Sequence, residues 1–177
     1  MFPPMQLAAL EGTWAEWQAT GSVYEFRSSS MGAAYWHPDA PNGGNGGPVW
    51  SAPHKAQIKN AVATYKEKLR PLVRGADLYH IFPRPDGKHW DGVEYFDPAA
   101  RKGVVYLFKS AAGTDTTSVK LRGVRPEARY RVSFEDGSNP TVEKSGTELA
   151  LGVDVKLSGK LMSELMFFEE IGVPGSR

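Results

Sequence analysis

The chain has 177 residues, enough for one complete domain with a good hydrophobic core, or for a compact domain with a sizeable appendage. Hydrophobic residues make up 41%, alongside 19 glycines and 13 prolines, which excludes collagen-like and disordered classes and leaves an ordinary folded protein rich in turns. The formal net charge is +1, with basic residues interleaved among acids from Lys55 to Lys160, so no electrostatic footprint for nucleic acid is present.

The chain has no cysteine. This excludes disulfide frameworks, thiolate zinc sites and a cysteine nucleophile, and leaves the compartment undecided between cytoplasm and export. No apolar run approaches the roughly 18 to 20 residues of a membrane-spanning helix, so no membrane partner is expected. The segment "MFPPMQLAALEG" lacks the basic leader, apolar stretch and small-residue cleavage site of a signal peptide.

Residues 1–76 have a helix-and-loop texture. Leu7, Leu10, Trp14 and Trp17 recur at spacings of three and four, which predicts a helix interrupted at Gly12. "SVYEFR" has the look of a short strand, and "HPDAPNGGNGGP" predicts a long loop. From His54 to Val73 the pattern is clearer. Ile58, Ala61, Val62, Tyr65, Leu69 and Leu72 form one stripe, with Lys55, Lys59, Lys66, Glu67 and Lys68 off it. That is an amphipathic helix of about five turns, entered through Pro53 and stopped by Gly75.

After Asp77 the hydrophobic period changes from 3.6 to 2. Thr117, Val119 and Leu121 alternate with polar residues, as do Tyr130, Val132 and Phe134, and then Val153, Val155 and Leu157. "GVVYLFK" (103–109) is apolar on both faces, as suits a central strand. Asp-Gly pairs at Asp86, Asp91 and Asp136, with Asn-Pro at Asn139, supply turn chemistry. Seven or eight strands at this spacing predict a mainly β fold with a closed antiparallel β-sandwich over 77–177, preceded by the helix/loop segment 1–76.

The densest chemistry lies in "DLYHIFPRPDGKHWDGVEYFDP" (77–98). His80, His89, Asp86, Asp91, Glu94 and Asp97 invite comparison with a metal site or an acid/base cluster. Strand parity places Leu78, His80 and Phe82 on one side and Tyr79 and Ile81 on the other, so His80 is expected among apolar neighbours and apart from His89. The spacings match neither a helical zinc-protease pair nor a calcium loop. A decorated β-hairpin is the expected reading, with no metal and no cofactor.

Other candidates lack their full motifs. "NGGNGG" has no Lys-Ser/Thr ending for a phosphate loop, and "RSSS" has no nucleophile elbow. Glu11, Glu16 and Glu25 could pair as glycosidase carboxylates only at a separation that sequence does not fix. Trp36, Trp50 and Trp90 lie near Gly/Pro/Asn-rich loops and are the candidate carbohydrate-stacking residues, against a buried role for each.

The order of these pieces resembles the C-terminal end of the clan D glycoside hydrolases, in particular the bacterial α-galactosidase family. "MFPP" is similar to the segment near the last strand of that family's (β/α)8 barrel, and "AQIKNAVATYKEKLRPLVRGADLYHI" to its closing helix and the link to its terminal domain. "DGKHWDGVEYFDP" and "GVVYLFK" are similar to the first strands of the C-terminal β-sandwich, and "YRVSFED" with "SGTELALGVDVKLSGKLMSELMFFEE" to the last. The resemblance is good from Lys55 onward and patchy before it. No single motif is diagnostic, and their collinearity carries it.

The resemblance implies retaining hydrolysis of α-glycosides by the parent enzyme, with two catalytic aspartates on earlier barrel strands, upstream of this chain. No aspartate here matches those motifs, so no catalytic residue is assigned. "MQLAALEG" departs from the family's Gly-Ser-His-like segment, so no substrate contact is assigned there. The expected role is a non-catalytic portion that packs on an upstream catalytic barrel and stabilises it, and that could shape an oligomer interface. The alternative is a stand-alone carbohydrate-binding module.

Overall fold

The computed structural model of the chain describes residues 23–31 and 52–172. The expected helix around Leu7–Trp17 and the "HPDAPNGGNGGP" loop lie outside the described residues. The chain divides into two units between Lys68 and Leu69.

The first unit contributes α1 (Val23–Ser29) and α2 (Ala52–Thr64), which pack against each other. The segment expected as a strand, "SVYEFR", is therefore helical. Its alternation spans too few residues to fix a period: Val23, Phe26 and Arg27 also stand at the three- and four-residue spacing of one helix face. Phe26 and Arg27 are buried.

The long amphipathic helix is present and modified. Helical conformation runs through α2, a π-helical turn (Tyr65–Leu69) and α3 (Arg70–Val73). Pro71 accounts for the change: it has no N–H to give the Glu67 carbonyl, and its ring crowds that carbonyl, which lies inside the widened turn. Leu69 and Leu72 of the apolar stripe are buried, and α3 packs against β2 (Asp91–Asp97).

The second unit is mainly β, as the alternation predicts. Its described residues form eight strands: β1 (Asp77–His80), β2, β3 (Lys102–Lys109), β4 (Thr116–Val119), β5 (Arg129–Phe134), β6 (Val142–Ser145), β7 (Val153–Lys156) and β8 (Met162–Gly172). Six make one sheet in the order β1-β2-β3-β8-β5-β6, and β4 with β7 make a two-stranded ribbon; every pairing is antiparallel. The layers are unequal, six strands against two.

β3 is interior to the sheet, and Gly103 to Lys109 are all buried. One face of the sheet presents Phe96, Val105, Leu107, Met166, Phe168, Tyr130, Val132 and Phe134 to Val119, Leu121, Val153, Val155 and Leu157 from the ribbon and its flanks. Phe96 and Phe168 stack, with centroids 5.8 Å apart and planes 7° from parallel. Each such side chain contributes about 1.5–3 kcal/mol by leaving water. On the opposite face Tyr95, Val104, Tyr106, Phe108 and Leu165 are also buried, with Tyr95 and Tyr106 edge to face at 6.0 Å.

Connections are fixed by specific bonds. The buried Tyr130 hydroxyl accepts from the Arg125 N–H at 2.9 Å and so pins the approach to β5, in the manner of a tyrosine corner. Between β6 and β7 lies α4 (Gly146–Leu151), an element that reading by alternation misses. Its signature is in the sequence all the same: Ser145 caps the Glu148 N–H while the Glu148 carboxylate accepts from the Ser145 N–H at 2.8 Å, a capping box.

Two of the Asp-Gly pairs make turns, and the third does not. Gly87 and Gly137 have φ of 71° and 67°, the left-handed backbone that such turns need. Asp91-Gly92 instead opens β2, and its glycine answers a different demand: a Cβ there would stand 2.2 Å from the Tyr106 carbonyl oxygen on β3.

These two glycines should therefore fail differently. Gly87→Ala meets open space and suffers only the left-handed backbone penalty, about 1–2 kcal/mol. Gly92→Ala must push two central strands apart, at about 1–3 kcal/mol or more. Urea denaturation of the full chain should rank Gly92→Ala as the more damaging, and the reverse order would contradict the packing argument.

Candidate functional site

The carboxylates and histidines between Asp77 and Pro98 are spread along a hairpin and do not converge. Asp86 closes its own turn: Oδ1 accepts from the Lys88 and His89 N–H groups at 2.8 and 2.9 Å, and Oδ2 meets the His89 Nδ1 at 2.6 Å. Both residues are exposed. The two backbone bonds, followed by the imidazole contact, hold the Asp86 carboxyl well below the usual carboxylate range.

Asp91 is half-buried, and its carboxylate accepts from the Gly92 N–H at 2.7 Å. Burial pushes its pKa up, partly offset by that bond. Asp97 caps the β2–β3 turn by accepting from the Ala99 and Ala100 N–H groups, both at 2.9 Å. The His80 imidazole lies near enough to Asp91 to favour its charged form, as the least of the three influences on it.

Glu94 is different in kind. Its side chain lies on the core face of β2 at 0% exposure, with Oε2 accepting from Arg122 N–H at 2.8 Å and Oε1 from Gly123 N–H at 2.9 Å. The Phe96 ring, two residues along, lies against Gly123, where a Cβ would come within 2.6 Å of it. Glu94 thereby ties the six-stranded sheet to the loop that leaves the ribbon. Burial raises its pKa, against the two N–H bonds and the Arg122 charge. Opposite it in register, Tyr79 is also raised, first by burial and then by Asp77 and Glu94.

His80 does not sit among apolar side chains. The parity along β1 is as expected, but the inward side is that of Tyr79, which packs on the core; Leu78 and His80 are exposed. β1 ends at His80, so parity does not carry to Phe82, which packs on the core beside Ile81. No group of three or more metal-ligating side chains occurs among the described residues.

Of the three tryptophans, Trp36 and Trp50 lie outside the described residues. Trp90 is a core residue at 6% exposure, and its indole N–H donates to the Thr114 carbonyl at 2.8 Å. The buried role weighed for it is the one the structure gives. Glu11 and Glu16 also lie outside the described residues, while Glu25 falls on α1. In "RSSS", Ser30 is buried and its hydroxyl donates to the Arg27 carbonyl at 3.3 Å.

Several interior polar groups escape the sequence reading, among them two charged side chains of the second unit. Glu164 on β8 is fully buried, with Oε1 accepting from Leu165 N–H at 2.8 Å and Asp136 N–H at 3.2 Å. It shares parity with Met166 and Phe168, and that is the signal that could have placed it inside. Lys109, at the end of β3, pairs with Asp115 at 3.2 Å and donates to the Gly159 carbonyl.

Comparison with solved structures gives the fold a relative. An α-galactosidase of family GH36 from Geobacillus stearothermophilus, AgaA, matches 83% of this chain at a TM-score of 0.65 and 18% identity. A variant of AgaA crystallised with stachyose matches 97% at 0.65 and 16%, and the α-galactosidase from Lactobacillus brevis matches 86% at 0.67 and 18%.

The fold is that of a portion of the GH36 α-galactosidases. The match takes up only 19%, 21% and 20% of those three chains, so this chain spans about a fifth of the length of its GH36 neighbours. No protein-family model matches the sequence, and no curated protein matches it.

Two tests follow from the geometry. Trp90→Ala should lower the stability of the full chain by about 3–5 kcal/mol in denaturant unfolding, as loss of a buried indole does. An unchanged midpoint, with an altered response to sugar, would contradict the core assignment.

The pH dependence should split by sign. Asp86 is depressed, so its contribution is present above the ordinary carboxylate range and lost on acidification; the stability lead of wild type over Asp86→Asn should shrink as pH falls through about 4. Glu94 is raised, so its contribution is fullest below its unfolded value of about 4.3 and is lost as pH rises through the folded one. The lead over Glu94→Gln should therefore grow as pH falls, and parallel trends for the two variants would contradict the assignments.

Proposed function

We propose that this chain is the C-terminal, non-catalytic portion of an α-galactosidase-like glycoside hydrolase, and that its mainly β unit packs on and stabilises a catalytic barrel encoded upstream. One observation carries the reading: the match covers 83% and 97% of this chain but only 19% and 21% of two GH36 structures. A chain collinear with a fifth of an enzyme is best read as a part of one.

The chemistry of the second unit is in keeping with a structural role. Asp86, Asp91, Glu94 and Asp97 each accept backbone N–H bonds, and each organises a turn, a strand start or a sheet contact. A retaining glycosidase needs two carboxyl groups roughly 5–5.5 Å apart and open to a sugar. In the parent enzyme that pair would be the two barrel aspartates, one attacking the anomeric carbon and the other protonating the leaving oxygen. Neither role falls to a residue of this chain.

The outer face of the six-stranded sheet also divides by chemistry. On β2, β3 and β8 it is apolar, with Tyr95, Val104, Tyr106 and Leu165 buried. Towards β5 and β6 it carries Arg131 between Glu143 and Glu169, at 3.9 and 3.2 Å, all about half exposed.

Two experiments test the proposal. The full chain, incubated with 4-nitrophenyl α-galactoside, should release nitrophenol no faster than buffer does; turnover that disappears in Glu25→Gln would overturn the non-catalytic reading. Sequencing the coding DNA upstream of Met1 should reveal a continuous frame encoding barrel strands with two aspartates at strand ends. An in-frame stop directly before Met1 would overturn the reading of the chain as part of a larger enzyme.

A further inference from the structure

We draw no further inference here: the strongest candidate, the buried Glu164 carboxylate on β8, whose Oε2 has no hydrogen-bond partner, belongs to no group of three or more metal-ligating side chains among the described residues, and nothing beside it shows what would occupy it.

Discussion

The pairing of β3 with β2 on one side and β8 on the other fixes the architecture of the second unit. Seven of its eight residues, Gly103 to Lys109, are buried, so its backbone cannot turn to water for hydrogen bonds and must find them in the two neighbouring strands. A slip of one residue would send Val105 and Leu107 to the face that now holds Val104, Tyr106 and Phe108, and reverse both cores together. The glycines of β2 and β3 belong to the same constraint. A methyl at Gly92 or Gly103 would stand 2.2 Å from Tyr106 or Phe168, so the strands approach closely only because no side chain separates them there.

Polar groups inside this core act as fasteners. Glu94 receives two backbone N–H groups from the loop after the ribbon, donors that would be costly to leave unpaired in the interior, while burial itself opposes its charged form. The exposed pairs Arg129–Glu143 and Arg131–Glu169 are worth about 0–1 kcal/mol apiece. The Glu94 carboxylate, the most deeply placed of the hairpin, joins the six-stranded sheet to the loop that follows β4.

Sequence reasoning succeeded where one physical effect dominated. The stripe from Ile58 to Leu72, the doubly apolar β3 and the alternation of Tyr130, Val132 and Phe134 each reflect burial on a defined face, and burial is what hydrophobic spacing reports. It failed where two readings share a pattern. "SVYEFR" fits both periods over six residues, and packing of Phe26 and Arg27 decides for the helix. Asp91-Gly92 has turn composition, but the close approach of β3 assigns its glycine to a strand. α4 was hidden inside a run read as strands, although Ser145 and Glu148 stand at capping-box spacing. For the candidate site, the inward placement of Glu94 and Trp90 depends on partners at Arg122, Gly123 and Thr114, more than 20 residues away, which no local spacing reports.

The proposed role rests on a mainly β unit whose fold matches a fifth of the length of GH36 α-galactosidases. The most direct measurement is a backbone amide NMR titration of the full chain with galactose and melibiose, because it reports folding and sugar response together. The account expects dispersed signals from Asp77 to Gly172 that do not move with either sugar. Saturable shifts clustered on Trp36, Trp50 or the strands around Trp90 would contradict it and make the chain a carbohydrate-binding module.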